Sequence, residues 1–224
     1  MKHRMRIHRV RLGADEYRVI RPDRPARGLF LRPAWAADLY ADDEGAAQLA
    51  VAWGLAARSP RSLVYLPIRG NAAPDGLPVE PDEPVAPLDL ALVHHRSQFP
   101  ASRWKAVRAR LGAGVPHTVT IPESDFQGPG AELHPRYWTE EFRDRLSFAR
   151  AAETMFVTGS AVAFRETGAT VHRLTAPRYA DPGGGGESHR CVELDAGSRH
   201  RRGARGDIPD LLHIQYCGDW RATA

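Results

Sequence analysis

The segment 46–57 (AAQLAVAWGLAA) constrains the fold more than any other part of this 224-residue chain. Gln48 is its only polar side chain, and Asp42 and Asp43 precede it in positions typical of a helix cap and first turn. A helix that is apolar on all sides must be buried on all sides. We therefore expect a sheet and a second element, or another copy of the chain, to cover it. The side chains expected to be largely buried are Leu49, Val51 and Trp53.

Short β-forming segments lie on both sides of this helix in the sequence. Alternating or continuous apolar residues bounded by Gly and Pro predict them as strands. The predicted strands of the first half are 7–12, 17–20, 29–31, 62–68, 88–95 and 117–121. A helix that Pro100 opens and Gly112 ends separates the last two strands.

The second half is predicted to be mostly β after one helix. That helix is expected at about 139–153, with Thr139 as its cap. A hairpin is expected from 155–164 and 169–174, turned at 166–168. The last predicted strands are 189–194 and 211–217.

This order predicts an α+β or mixed α/β fold. We expect one mixed sheet, about three main helices and a β-rich C-terminal part. A split βαββαβ arrangement fits residues 29–121. A single domain spanning 1–224 is expected, with a subdivision into an α/β part, 1–126, and a β-rich part, 137–224, as the alternative.

Composition bounds the class of protein. Two cysteines exclude a disulfide scaffold. No apolar run approaches the roughly 20 residues needed to span a bilayer, and no apolar core follows the basic start as a secretory signal requires. The sequence therefore predicts a bacterial-type soluble cytoplasmic protein that does not associate with a membrane.

Arginine dominates the charge. Of 31 basic residues only Lys2 and Lys105 are lysines, which leaves 29 arginines. Codon bias explains arginine in place of surface lysine, whereas anion recognition would exploit the match of guanidinium to phosphate and carboxylate. The net charge of +4 permits nucleic acid as a partner without favouring it.

The charges are also segregated along the chain. Residues 70–93 hold five acids and no base, whereas 96–110 hold five bases and no acid. Two interpretations remain open at this point. The basic residues could form one face, or the acidic loop, 70–87, could neutralise the basic helix within the fold.

The segment 94–103 has the features of a functional site, because it leaves a buried strand at its carboxyl end and enters a helix. Ligands bind at such strand ends, and the free N–H groups of a helix start favour an anion. Neighbouring strand residues point to opposite faces, so only one of His94 and His95 can face the site, as a general base if the protein is an enzyme. The predicted anion-binding residues are Arg96, Ser97 and Arg103.

A metal site is not predicted, although four zinc-type donors occur near the C-terminus. His189 and Cys191 form one pair, and His213 and Cys217 the other. Residues four apart on a straight strand are separated by about 13 Å, so the second pair cannot share an ion without a bulge. We expect no metal, no cofactor and two buried free thiols, with a Cys191–Cys217 contact if their strands pair.

The sequence supports three hypotheses about function, and the known motifs for nucleotide binding, ester hydrolysis and metalloproteolysis are absent from it. The first is a protein that binds an anionic ligand or partner through an arginine-rich surface and the 94–103 cluster. The second is an enzyme on a small anionic substrate, with His94 or His95 as general base and Arg96 as anchor. The third is an assembly subunit that forms homo-oligomers through helix 46–57.

Overall fold

The structure, a computed structural model, describes residues 1–33, 37–77, 86–128, 144–176, 190–196 and 210–218. Within these ranges the chain forms two mixed β-sheets and three α-helices, so the predicted mixed α/β class is confirmed. No helix in the described ranges has the length and apolar character needed to cross a bilayer.

The larger sheet has seven strands. They are β1 (Lys2–Leu12), β2 (Asp15–Pro22), β5 (Ser62–Leu66), β6 (Asp89–His94), β7 (Val115–Thr120), β8 (Ser147–Ala151) and β9 (Thr154–Gly159). Their spatial order is β7-β1-β2-β5-β6-β9-β8. The β2–β5 and β6–β9 pairs are parallel, and the remaining neighbours are antiparallel. Pro67 directly follows β5, so its missing N–H does not interrupt a strand in the middle of the sheet.

The smaller sheet has four strands in the order β10-β11-β4-β3. They are β3 (Leu29–Pro33), β4 (Ala37–Ala41), β10 (Cys191–Asp195) and β11 (Leu211–Tyr216). β11 and β4 are parallel, although about 170 residues separate them in the chain. Each sheet therefore combines strands from both halves of the sequence.

The α-helices are α1 (Asp43–Arg58), α2 (Trp104–Arg108) and α3 (Ala161–Arg173). α1 and α3 pack against each other and against strands of both sheets, and α2 covers the opposite face of the larger sheet. Trp53 of α1 is 0% exposed, and its indole N–H donates to the Thr167 hydroxyl at 3.1 Å. The predicted burial of this helix is confirmed, and its apolar surface is covered within one chain.

The cap of α1 agrees with its sequence. The Asp42 carboxylate accepts the Gly45 N–H at 2.7 Å, as the acid before the apolar run predicts. This bond satisfies one of the unpaired N–H groups of the first turn.

Two expectations about topology are wrong. The strands lie in two sheets rather than one, because β3 and β4 pair with the C-terminal strands. The split βαββαβ arrangement of 29–121 is absent for the same reason, and β7 pairs with β1 at the edge of the larger sheet. Local patterns give strands, but pairing partners depend on contacts distant in sequence.

Two expectations about element type are also wrong. The predicted hairpin of 155–174 is strand β9 followed by helix α3, in which Ala163, Phe164, Thr167 and Val171 form a buried stripe. The predicted helix 139–153 is contradicted at 147–151, where β8 forms, and its remaining start, including Thr139, lies outside the described residues. Val and Thr in α3 favour strands by propensity, and packing against α1 overrides that preference.

Candidate functional site

The strand-end cluster begins at His94, the last residue of β6. His94 is 3% exposed, and its Nδ1 accepts the Arg96 N–H at 3.1 Å. His95 begins a 3₁₀ helix, His95–Ser97, and is exposed, with its ring edge-on to the His94 ring at 4.9 Å. The two histidines therefore lie in different environments, one inside the fold and the other at the surface.

Burial sets the protonation of His94. Loss of solvent contact lowers the pKa of this imidazole, and the nearby His95 and Arg96 lower it further. Because Nδ1 accepts a hydrogen bond, the neutral ring carries its proton on Nε2. His94 is therefore a neutral side chain at pH 7 that holds the turn on which Arg96 sits.

Two of the predicted anion-binding residues, Arg103 and Ser97, do not present free polar groups at the strand-end cluster. Arg103 donates to the Asp15 carboxylate at 2.7 Å and to the Tyr17 hydroxyl at 3.5 Å, which joins it to the β1–β2 hairpin. The Ser97 Oγ is buried and makes no hydrogen bond with the described residues. The cluster thus brings His94, His95 and Arg96 together and leaves Arg103 apart.

The helix start predicted near Pro100 does not form as expected. A 3₁₀ turn, Ala101–Arg103, precedes α2, which has only five residues. Such a short helix has little dipole, and the preceding 3₁₀ turn already pairs the N–H groups of Arg103 and Trp104. Trp104 and Val107 of α2 are fully buried and belong to the core.

The register of the larger sheet forms a cross-strand row that ends at His94. Arg9 pairs with Arg18, and Arg18 pairs with Ser62. The next step of the β5–β6 ladder places Ser62 beside His94, which pairs with Gly159. Three strand spacings separate Arg9 from His94, a distance of about 14 Å.

Exposed basic side chains gather along this row. We call them the basic edge: Arg9, Arg18, Arg61, His95 and Arg96. Arg61 directly precedes Ser62 and therefore lies at the same end of the sheet as His95. Within the described ranges, Arg18, Arg61 and Arg96 make no ion pair, and Arg9 contacts Glu16 only at 3.4 Å.

Other arginines form ion pairs with acids of the same chain. Arg6 pairs with Asp23, Arg58 with Asp125, and Arg103 with Asp15. Arg108 pairs with Asp89 and Glu153, so one acid of the 70–93 segment does neutralise a base of the 96–110 segment. The acids Glu80, Asp82 and Glu83 lie outside the described residues.

The smaller sheet carries a polar row that the sequence did not predict. The His213 Nδ1 lies 3.4 Å from an Asp38 oxygen, and Arg32 contacts the other Asp38 oxygen at 3.4 Å. Arg32 also donates to the Tyr40 hydroxyl at 3.2 Å. The parallel β4–β11 register that brings Asp38 beside His213 could not be read from local sequence.

The cysteines are free but differ from the prediction in burial. Cys191 is exposed and Cys217 is half-buried. β10 and β11 do pair, but the register places Gln215 rather than Cys217 opposite Cys191. His189 lies outside the described residues, and within the described part of the chain no three potential ligands form a metal-binding group.

Comparison with family models, curated proteins and solved structures gives no match. The basic edge and the charges around it are the features of the described residues that bear on function.

Proposed function

We propose that the protein binds a partner or ligand with several closely spaced negative charges at the basic edge. The observation that carries this proposal is that Arg18, Arg61 and Arg96 are exposed and form no ion pair with the described residues. Three arginines from separate segments are exposed at one end of the sheet without a carboxylate partner among the described residues. Their guanidinium groups can therefore give paired hydrogen bonds to phosphate or carboxylate.

The contrast with the rest of the molecule supports the proposal. Arginines such as Arg6, Arg58 and Arg108 are held by acids of the same chain, and they have less to gain from an external anion. Among the described residues, the acid that forms an ion pair with the basic edge is Glu16, which lies 3.4 Å from Arg9 and 3.4 Å from the neighbouring Arg11. The positive field therefore concentrates at this end of the sheet.

In this proposal His94 is a positioning residue. Its ring is buried and neutral, and its bond to the Arg96 N–H fixes the 3₁₀ turn. Arg96 and His95 then project from a defined backbone, which reduces the entropy lost when an anion binds. We also propose a cytoplasmic location, where two free thiols would remain reduced.

Fluorescence anisotropy with labelled heparin, long-chain polyphosphate and duplex DNA tests the proposal. The variant Arg18→Ala/Arg61→Ala/Arg96→Ala should weaken binding at least about tenfold, since it removes the unpaired charges. The matched control, Arg24→Ala/Arg27→Ala/Arg150→Ala, removes the same charge from exposed positions outside the edge. Equal loss in the two variants, or binding of none of the probes, would contradict the proposal.

The second candidate is an enzyme that uses one of the two histidines as general base and Arg96 as anchor for a small anionic substrate. The neutral state of His94 favours it, because a general base must be unprotonated at the working pH. Its burial opposes it, since substrate has little access to the ring. Turnover of small phosphate or carboxylate compounds that is lost in His94→Gln or His95→Gln, with binding retained, would favour the enzyme.

A further inference from the structure

His8 on β1 is a buried histidine. It is 3% exposed, and neither ring nitrogen makes a hydrogen bond with the described residues. A buried polar group in this condition is costly and calls for a physical explanation. His8 lies on the face of the sheet that α2 covers, beside Val10 of the same core.

The loop 112–114, between α2 and β7, closes over this ring. Gly114 has φ +70°, and a Cβ at that position would lie 2.5 Å from the His8 Cε1. Glycine is therefore required both by the backbone conformation and by the close approach. Arg6 holds the loop in place, because its guanidinium donates to the Ala113 carbonyl at 2.9 Å.

The charges facing His8 are positive. Arg6 lies on the same strand as His8. Arg21, the cross-strand partner of Arg6 on β2, lowers the pKa of the His8 ring more than Arg6 does. Asp23 is engaged by Arg6, and the Gly112 carbonyl of the loop faces the ring. Burial, followed by Arg21, lowers the pKa of His8, the nearby Gly112 carbonyl raises it, and Arg6 lowers it by the smallest amount.

We propose that the loop 112–114 is an acid-released strap, which is closed over neutral His8 and opens when His8 takes up a proton. A charged imidazole beneath the loop would be desolvated between two arginines, and no carboxylate of the described residues acts on the ring. Opening brings the ring into water and breaks the Arg6 bond to Ala113. Because β7 follows this loop directly, release would loosen the edge of the larger sheet.

The direction of the pH effect on loop opening follows from the proton affinity of His8 in the closed and open forms. The open form binds a proton more readily than the closed form, so acid favours opening. Between the pKa of the exposed ring and that of the covered ring, the opening equilibrium constant should rise by about tenfold for each pH unit lost. The strap therefore responds below about pH 6.5, the range in which an exposed histidine becomes charged.

Nuclear magnetic resonance of the full chain tests this mechanism without any substitution. The His8 ring signals and the backbone amides of Gly112, Ala113 and Gly114 are followed from about pH 8 to about pH 5, a range that covers the titration of histidine. The loop amides should shift with the same midpoint as the His8 ring. Their heteronuclear NOE should fall over the same range, which shows increased loop motion.

The variant His8→Phe fills the same space with a ring that does not titrate. Its loop amides should show no transition in this range, whereas His117→Gln, an exposed change on β7, should leave the transition intact. If His8→Phe does not fold, the coincidence of the two wild-type midpoints decides the question alone. Titration of His8 with the loop unchanged, or a loop transition that persists in His8→Phe, would overturn the proposal.

Discussion

Arg108 and Glu153 join α2 to the turn between β8 and β9. The Arg108 Nη2 donates to the Glu153 carboxylate at 2.7 Å, and Nη1 donates to the Ala152 carbonyl at 2.8 Å. Ala152 and Glu153 both have positive φ, +47° and +54°, in a two-residue turn that favours Asn and Gly. A single guanidinium thus holds a turn whose own residues disfavour it.

Relief of this turn should stabilise the protein. Ala152→Gly removes the Cβ that opposes a left-handed conformation and should raise the free energy of unfolding by about 1 kcal/mol. Urea denaturation measures the change. Ala151→Gly, on the adjacent strand, should lower stability, and a gain in both variants would contradict the argument from φ.

Loss of Arg108 should destabilise the core. Asp89 is 1% exposed, and its carboxylate accepts hydrogen bonds from the Arg108 guanidinium, the Tyr65 hydroxyl and the Arg69 backbone N–H. Arg108→Ala would remove the guanidinium that compensates this buried carboxylate for its lost hydration, and should lower the free energy of unfolding by about 2–3 kcal/mol. Glu153→Gln, which changes an exposed partner of the same arginine, should cost clearly less in the same urea experiment. Equal destabilisation of the two variants would show that the pairing of Arg108 with Asp89 does not stabilise the core.

Stability should decrease as pH falls from about 7 to about 5, the range of histidine titration. Burial is the main cause that lowers the pKa of His3, His8, His94 and His172. The unfolded chain therefore binds more protons than the folded chain below its ordinary histidine pKa, so the free energy of unfolding declines with acid. Unfolding at several pH values measures the slope.

A matched pair of substitutions separates buried from exposed histidines in that experiment. His8→Phe should flatten the slope, because one buried titrating group is removed. His117→Gln changes an exposed residue and should leave the slope as in the wild type. A slope that is insensitive to His8→Phe would show that other groups control acid stability.

Pro116 should protect the free edge of β7. Met1 and Ile121 exchange backbone hydrogen bonds across the antiparallel β1–β7 pair. Hydrogen-bonded and non-hydrogen-bonded pairs alternate along such a ladder, so the backbone N–H and C=O groups of every second β7 residue face away from β1. These outward-facing positions are Pro116, Thr118 and Thr120. Pro116 removes one outward N–H beside Val115, which is 69% exposed. Pro116→Thr should therefore increase self-association in sedimentation velocity, whereas His117→Thr, whose N–H faces β1, should not.

The sequence alone determined the local elements with strong patterns. The unbroken apolar face of 46–57 and the acid before it predict α1 and its cap, because burial and capping act within a few residues. The two-residue turn at Gly13 likewise places Arg9 beside Arg18. These features follow from short-range geometry.

Tertiary structure decided what local patterns leave open. α3 is rich in Val and Thr, and only its packing against α1 makes it a helix rather than half of a hairpin. The division into two sheets depends on the pairing of β11 with β4, which no neighbouring residue specifies. The basic edge depends in the same way on the pairing of β2 with β5 and of β5 with β6. Arg18, Arg61 and Arg96 are far apart in the chain, and only these long-range hydrogen bonds bring them to one end of the sheet.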